Sequence, residues 1–175
     1  MSREIVMNIA KEAYDPILSG RSGDLLGISG WVRIDQAMID EFGELTHDID
    51  PMHMDPEWAT SSGPFGGTTA YGFLTISMLT HLFRSMAEQD LRNTDFGLFL
   101  NYGFDRLRLV SPVPSGSRIR GRFQHGGIRE DDGGRRIVKL LCEVEVEGQE
   151  RPALVCEWLS AWLPPESSGE SGLSA

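Results

Sequence analysis

The order of the apolar segments constrains this chain's fold more than any other feature. Thr68 to about Ala87 is the longest helical candidate and is apolar almost all round, which predicts a buried helix. From Asp95 onward the character changes to strands separated by turn signals. Phe99 to Val110 and Ser117 to His125 flank the turn Ser111-Pro112-Val113-Pro114-Ser115-Gly116. Arg135 to Glu147 and Ala153 to Leu163 follow, set off by Asp131-Asp132-Gly133-Gly134 and Glu147-Gly148-Gln149. The strands run consecutively instead of alternating with helices, so the layout is α+β, an antiparallel sheet wrapped around one long central helix. Periodicity supports no finer fold name.

The first third is read from its caps. Gly27 to Val32 forms a short first strand. Asp35 then caps a helix on which Ile34, Met38, Phe42 and Leu45 recur at helical spacing along one face. Asp55-Pro56-Glu57 starts a further brief helix, with a capping carboxylate, proline at the first helical position and an acid in the first turn. Ser61-Ser62-Gly63-Pro64 breaks it. Residues 1–20 make a lead-in with a helical stretch around Ile5 to Tyr14, 21–163 a single domain, and 164–175 a polar, small-residue tail expected to be disordered.

Bulk properties exclude several classes. A net charge of −10 argues against a general nucleic-acid binder, which must neutralise phosphates. The most apolar stretch, Ala70 to Met86, is interrupted by Thr75, Ser77, Thr80, His81 and Arg84, and is too short and polar to span a bilayer. No cationic segment followed by an apolar run opens the chain, so no secretory signal is read. Cys142 and Cys156 lie on separate expected strands without metal-ligand spacing and read as buried free thiols. A cytoplasmic location is expected.

Between the first helix and the brief one lies Asp48-Ile49-Asp50-Pro51-Met52-His53-Met54-Asp55. Asp48 and His53 are the candidate catalytic residues. Pro51 restricts the turn between them, and a carboxylate beside an imidazole suits general acid/base work on a water. Glu41, Glu44, Asp50, Asp55 and Glu57 cluster around them with no Lys or Arg, so spacing alone fits a solvated acidic turn equally well. Metal binding by His47, Asp48, Asp50, His53 and Asp55 ranks low, because the spacing matches neither zinc nor calcium signatures.

Gly63-Pro64-Phe65-Gly66-Gly67 leads into the central helix, with Gly72 beyond it. Glycine permits close backbone approach, and the first N–H groups of a helix stabilise negative charge on an oxygen lodged there. The plainer account is that these glycines turn the chain and let the helix pack closely. Between Phe96 and His125, Arg106, Arg108, Arg118, Arg120 and Arg122 face one acid, Asp105, giving a segment of +4 in a chain whose remainder carries −14. Strand alternation places Arg106 and Arg108 on one face and Leu107 and Leu109 on the other. The cluster is either a solvated sheet face or an attractor for phosphates. His47, His81 and His125 have no evident partners and read as structural or exposed.

Three segments together resemble a known family. FGELTHDIDPMHMDPEWA (Phe42 to Ala59) resembles the hydratase motif of the MaoC-like dehydratases, the (R)-specific enoyl-CoA hydratases. FGGTTAYGFLTISML (Phe65 to Leu79) is similar to their central-helix signature. NYGFDRLRLVSPVPSGSRIRGRF (Asn101 to Phe123) resembles the strand pair of the nodulation-protein-N-like branch. The resemblance spans roughly Asp24 to Leu163.

It implies a hot-dog fold, a homodimer, and reversible syn hydration of a trans-2-enoyl thioester to a 3-hydroxyacyl thioester. Asp48 and His53 fall on the family's catalytic pair, which holds and activates the water. Gly72 falls on the glycine whose N–H binds the thioester carbonyl, and Gly67 and Tyr71 become candidate substrate-pocket residues. Arg106, Arg108, Arg118 and Arg120 become candidates for attracting coenzyme A, which enters as part of the substrate; acyl-carrier protein is the other possible carrier, and no separate cofactor is implied. Two positions depart from the pattern, His47 where glycine is common and Tyr71 where histidine is common. A hot-dog thioesterase and a non-catalytic acyl-thioester binding module are the alternatives.

Overall fold

Short turns between consecutive strands favour antiparallel pairing, and every pairing in this computed structural model is antiparallel, although the two strands flanking residues 111–116 pair with other strands and not with each other. The structure describes residues 16–86 and 97–164. In chain order the elements are β1 (Leu25–Ile28), β2 (Val32–Arg33), α1 (Gln36–Thr46), α2 (Pro51–Met54), α3 (Pro56–Ser61), α4 (Gly72–Ser85), β3 (Leu98–Leu109), β4 (Arg118–Glu130), β5 (Arg136–Val146) and β6 (Leu154–Leu163). The described strands form one sheet in the order β1-β4-β5-β6-β3, with β2 also paired to β4. The expected helix at Ile5 to Tyr14 and nearly all of the polar tail lie outside the described residues.

The sheet's inner face follows from alternation. On β4, Ile119, Gly121, Phe123 and His125 are buried while the residues between them turn outward. On β5, Val138, Leu140, Cys142, Val144 and Val146 fill the same layer. Leu74, Leu79 and Leu82 of α4 pack into that layer, with Leu82 fully buried. Burying each such side chain contributes roughly 1.5–3 kcal/mol. Phe83 meets Phe123 and Trp158 edge-on at 5.1 and 5.9 Å between ring centroids.

Four sequence expectations shift. The first strand divides into β1 and β2, because Ser29 turns inward and exchanges hydrogen bonds with the Gly121 backbone, its N–H donating at 2.8 Å and its Oγ accepting at 2.9 Å. On α1, Ile39 and Gly43 face the core, whereas Leu45 is 80% exposed. The central helix begins at Gly72 instead of Thr68. Residues 68–70 are held extended against the loop after β3, with Ala70 N–H donating to Val113 O and Ser115 N–H to Thr68 O. Finally, α4 is not buried all round. Phe73, Ser77, His81 and Arg84 line an exposed face, and Ala87 lies outside the described residues.

Three side chains without an expected chemical role are buried, and the structure shows what each meets. His125 Nε2 donates to Ile17 O at 3.0 Å while its Nδ1 accepts from Gly127 N–H, which ties the chain before β1 to the bulge in β4. Cys142 and Cys156 are free, buried and directly opposed on β5 and β6. A hydrogen bond with Cys156, reinforced by burial, pushes the Cys142 thiol far above its ordinary pKa, so it stays protonated.

Candidate active site

The aspartates of the acidic loop sort into those that cap or brace a helix and one, Asp48, that does neither. Asp35, Asp50 and Asp55 each cap a helix, accepting from Met38, Met52 and Trp58 N–H at 3.0, 2.8 and 2.9 Å. Asp40 accepts from Gln36 Nε2 at 2.7 Å. Asp48 differs. It is exposed, and its carboxylate takes no hydrogen bond among the described residues, leaving it available to a water. Pro51 does more than stiffen a turn, because it opens the one-turn helix α2 that carries His53.

The path between α1 and Asp48 bears on His47, one of the two positions that depart from the pattern of the family the sequence resembles. His47 closes α1 in the left-handed region, with φ 58° and ψ 25°. Glycine adopts that conformation without penalty, so its usual presence there has a backbone reason. The reversed chain then lets Asp48 N–H donate to Gly43 O at 3.0 Å.

His53 is oriented by a backbone acceptor. Its Nδ1 lies 2.7 Å from Thr69 O. A carbonyl only accepts, so Nδ1 carries the proton and Nε2 is left as the acceptor, the tautomer a general base needs. The His53 carbonyl is held as well, accepting from Gln36 Nε2 at 2.7 Å, while Gln36 Oε1 accepts from Thr68 Oγ1 at 2.5 Å. Gln36 therefore joins α1, α2 and the segment leading into α4.

A cleft of about 430 Å³ lies beside this network. His53, Met52, Phe65, Thr69, Gly72, Thr75, Leu109, Ser111 and Val113 are among its walls. Gly72 is the first residue of α4, and Tyr71 before it supplies no side-chain cap. The opening N–H groups of the helix thus remain available to an oxygen in the cleft. A Cβ on Gly72 would stand 2.3 Å from Leu109 Cδ1, so glycine keeps this corner open.

Other candidates fall elsewhere. Asp48, Gly67 and Tyr71 are not among the cleft's walls; of the expected site residues His53 and Gly72 line it. Tyr71 is buried, its hydroxyl donating to Asp48 O, so it does not serve as pocket lining. Arg118 and Arg120 lie on the outward face of β4, paired with Glu147 and Glu145 across the strand pair. Arg106 has φ 50° at a bulge in β3 and pairs with Glu157 at 3.3 Å. That bulge breaks the alternation expected to set Arg106 beside Arg108. Leu107 packs against the core while Leu109 lines the cleft. Arg108 immediately precedes Leu109, and its guanidinium donates to Leu107 O. Carboxylate partners offset much of the positive segment's charge.

Sequence reasoning passed over Gln36, Gly43 and Thr69. An amide in the first turn of an amphipathic helix carries no local mark of partners 17 and 32 residues away. Thr69 acts through its carbonyl, which is independent of side-chain type.

Among the described residues no helix is long and apolar enough to cross a membrane. The MaoC-like domain model matches residues 21–147. Over 141 residues the chain is 42% identical to Nodulation protein N of Rhizobium leguminosarum bv. viciae, covering 80% of this chain and 85% of that protein. It is 36% identical over 140 residues to 3-hydroxyacyl-thioester dehydratase Z of Mycobacterium tuberculosis, covering 80% and 89%. Among solved structures, the (R)-hydratase from A. caviae involved in PHA biosynthesis matches with a TM-score of 0.64 at 21% identity, over 81% of this chain and 96% of that one. An Archaeoglobus protein described as a monoamine oxidase regulatory protein matches with a TM-score of 0.69 at 22% identity, over 86% and 95%. The likeness to these structures is one of fold, the antiparallel sheet around a central helix called the hot-dog fold. With most of its length matched by the domain model and by these relatives, the chain belongs to the MaoC-like dehydratase family.

Proposed function

We propose that this protein catalyses the reversible hydration of a trans-2-enoyl thioester to an (R)-3-hydroxyacyl thioester. The observation that carries the reading is the bond from His53 Nδ1 to Thr69 O, which leaves Nε2 as the acceptor of an imidazole that lines the same cleft as Gly72. In the hydration direction, water is held between the Asp48 carboxylate and His53 Nε2. Its oxygen bonds to C3, the C2–C3 π electrons move toward the thioester carbonyl, and a proton from the water is returned to C2. The Gly72 N–H stabilises the negative charge that builds on the carbonyl oxygen. A dehydratase acting on 3-hydroxyacyl thioesters among the relatives supports this substrate class. Coenzyme A is the proposed carrier, with Arg108 the arginine nearest in sequence to the cleft wall.

A homodimer completes the proposal. β3 pairs only with β6 among the described strands, and it carries exposed Leu98, Leu100, Tyr102 and Phe104 along a 12-residue edge. A long apolar edge is a template for another strand, and a second copy would cover it. Sedimentation at twice the 19.4 kDa chain mass is expected.

Crotonyl-CoA hydration, followed by loss of its ultraviolet absorbance, tests the activity. Asp48→Asn and His53→Ala are each expected to lower turnover by roughly 10²- to 10⁴-fold in a folded protein. Wild-type turnover in either variant would remove that residue from the mechanism. Release of free thiol from the substrate would instead identify a thioesterase.

A further inference from the structure

We infer that Tyr71 is a positioning residue that locks Asp48 and His53 into one fixed relation, an inference that rests on the roles proposed for those two side chains. Tyr71 is 3% exposed, so its phenol is engaged inside the protein and not with a ligand in the cleft. Its hydroxyl donates to the Asp48 carbonyl. On the other side of the same residue, Asp48 N–H donates to Gly43 O at 3.0 Å. Asp48 is therefore gripped by its main chain on both sides while its carboxylate stays free. The Tyr71 ring lies 3.9 Å, centroid to centroid, from the His53 imidazole at an interplanar angle of 38°. One side chain thus touches both members of the pair, and it does so from the residue immediately before Gly72.

The surroundings are built to hold that phenol. Phe42 of α1 meets its ring at 5.4 Å. A Cβ on Gly43 would stand 2.5 Å from the Tyr71 hydroxyl oxygen and 2.6 Å from Met54 Sδ, so α1 makes room for the tyrosine only through glycine. Burial raises the phenol's pKa, the Asp50 backbone N–H works in the opposite direction, and the carboxylates of Asp48, Asp50 and Asp40 raise it further. The hydroxyl therefore remains a donor. Neither contact can slip without the other, because the hydroxyl and the ring belong to one rigid group.

Two substitutions separate the contacts. Tyr71→Phe keeps the ring and removes the donor, while Tyr71→Leu removes both. Each is made in the full chain and read by melting temperature, by kcat and KM on crotonyl-CoA, and by proton signals of the His53 imidazole, assigned through their loss in His53→Gln. Tyr71→Phe is expected to fold, to keep the His53 signals in place and to lower kcat about tenfold, with KM changed by less than about twofold. In Tyr71→Leu the His53 ring protons are expected to move downfield as the shielding phenol disappears. Gly43→Ala, whose methyl would displace the hydroxyl without deleting it, is a second route to the same loss of kcat should Tyr71→Leu not fold. Unchanged kcat in a folded Tyr71→Phe, or unmoved His53 signals on loss of the ring in Tyr71→Leu or its displacement in Gly43→Ala, would overturn the inference. If the wild-type protein hydrates no enoyl-CoA, the hydratase reading fails by itself, whereas unmoved His53 signals in a folded Tyr71→Leu would overturn the contact between Tyr71 and His53 on their own.

Discussion

His53 Nδ1 lies 2.7 Å from the carbonyl oxygen of Thr69, three residues before the first residue of α4. That single bond fixes the imidazole tautomer and also ties the helix carrying the candidate base to the segment that launches the candidate carbonyl-binding N–H. A group that takes a proton and a group that stabilises charge must act on one substrate, so their separation has to be set by the protein. Gln36 reinforces the same junction from α1.

Removing Gln36 should therefore be felt in both stability and turnover. Gln36→Leu leaves the His53 carbonyl and the Thr68 hydroxyl without their partner. Urea unfolding is expected to show a loss of about 1–3 kcal/mol. At temperatures where the variant is folded, kcat should fall while far-ultraviolet circular dichroism stays unchanged.

Gly72 allows stability and catalysis to be separated. Alanine is the better helix former, and Leu109, half-exposed, has room to swing aside from a new methyl. Gly72→Ala should keep its unfolding free energy within about 1 kcal/mol of wild type. The methyl would crowd the corner where the thioester oxygen must approach, and kcat/KM is expected to fall about tenfold or more. Adding Leu109→Ala should restore part of that loss.

His47 predicts the opposite pattern. Its φ of 58° is unfavourable for a side chain bearing a Cβ. His47→Gly should stabilise the protein by about 0.5–1 kcal/mol in denaturant titrations. Turnover should be unchanged within about twofold if the backbone path into Asp48 is preserved, as the left-handed turn requires.

Much of the architecture was legible in the chain because it depends on near neighbours. Turn residues and period-two alternation located β3 to β6 within a residue or two at most ends. β4 ran on to Glu130 because a bulge at Gly127 carries it past His125. The caps Asp35 and Asp55 were equally readable, since a capping carboxylate bonds within three residues of itself. The start of α4 was not, because what holds residues 68–70 extended is a loop more than forty residues further along. Leu45 was misplaced for a related reason: helical spacing gives a face, and only packing says which side of that face is covered.

The amino-acid sequence by itself determined the order of elements, the antiparallel sheet and the presence of an acid and an imidazole on either side of Pro51. Those properties arise from local sterics, caps and hydrophobic alternation. Tertiary structure decided which acids are free, and it found Asp48 free while Asp50 and Asp55 are spent on helix ends. It also converted Tyr71 from a candidate pocket residue into a buried contact between Asp48 and His53, and drew Arg118 and Arg120 into ion pairs on the sheet's outer face. Each of those outcomes depends on partners distant in the chain, whose approach is set only when the sheet closes around α4.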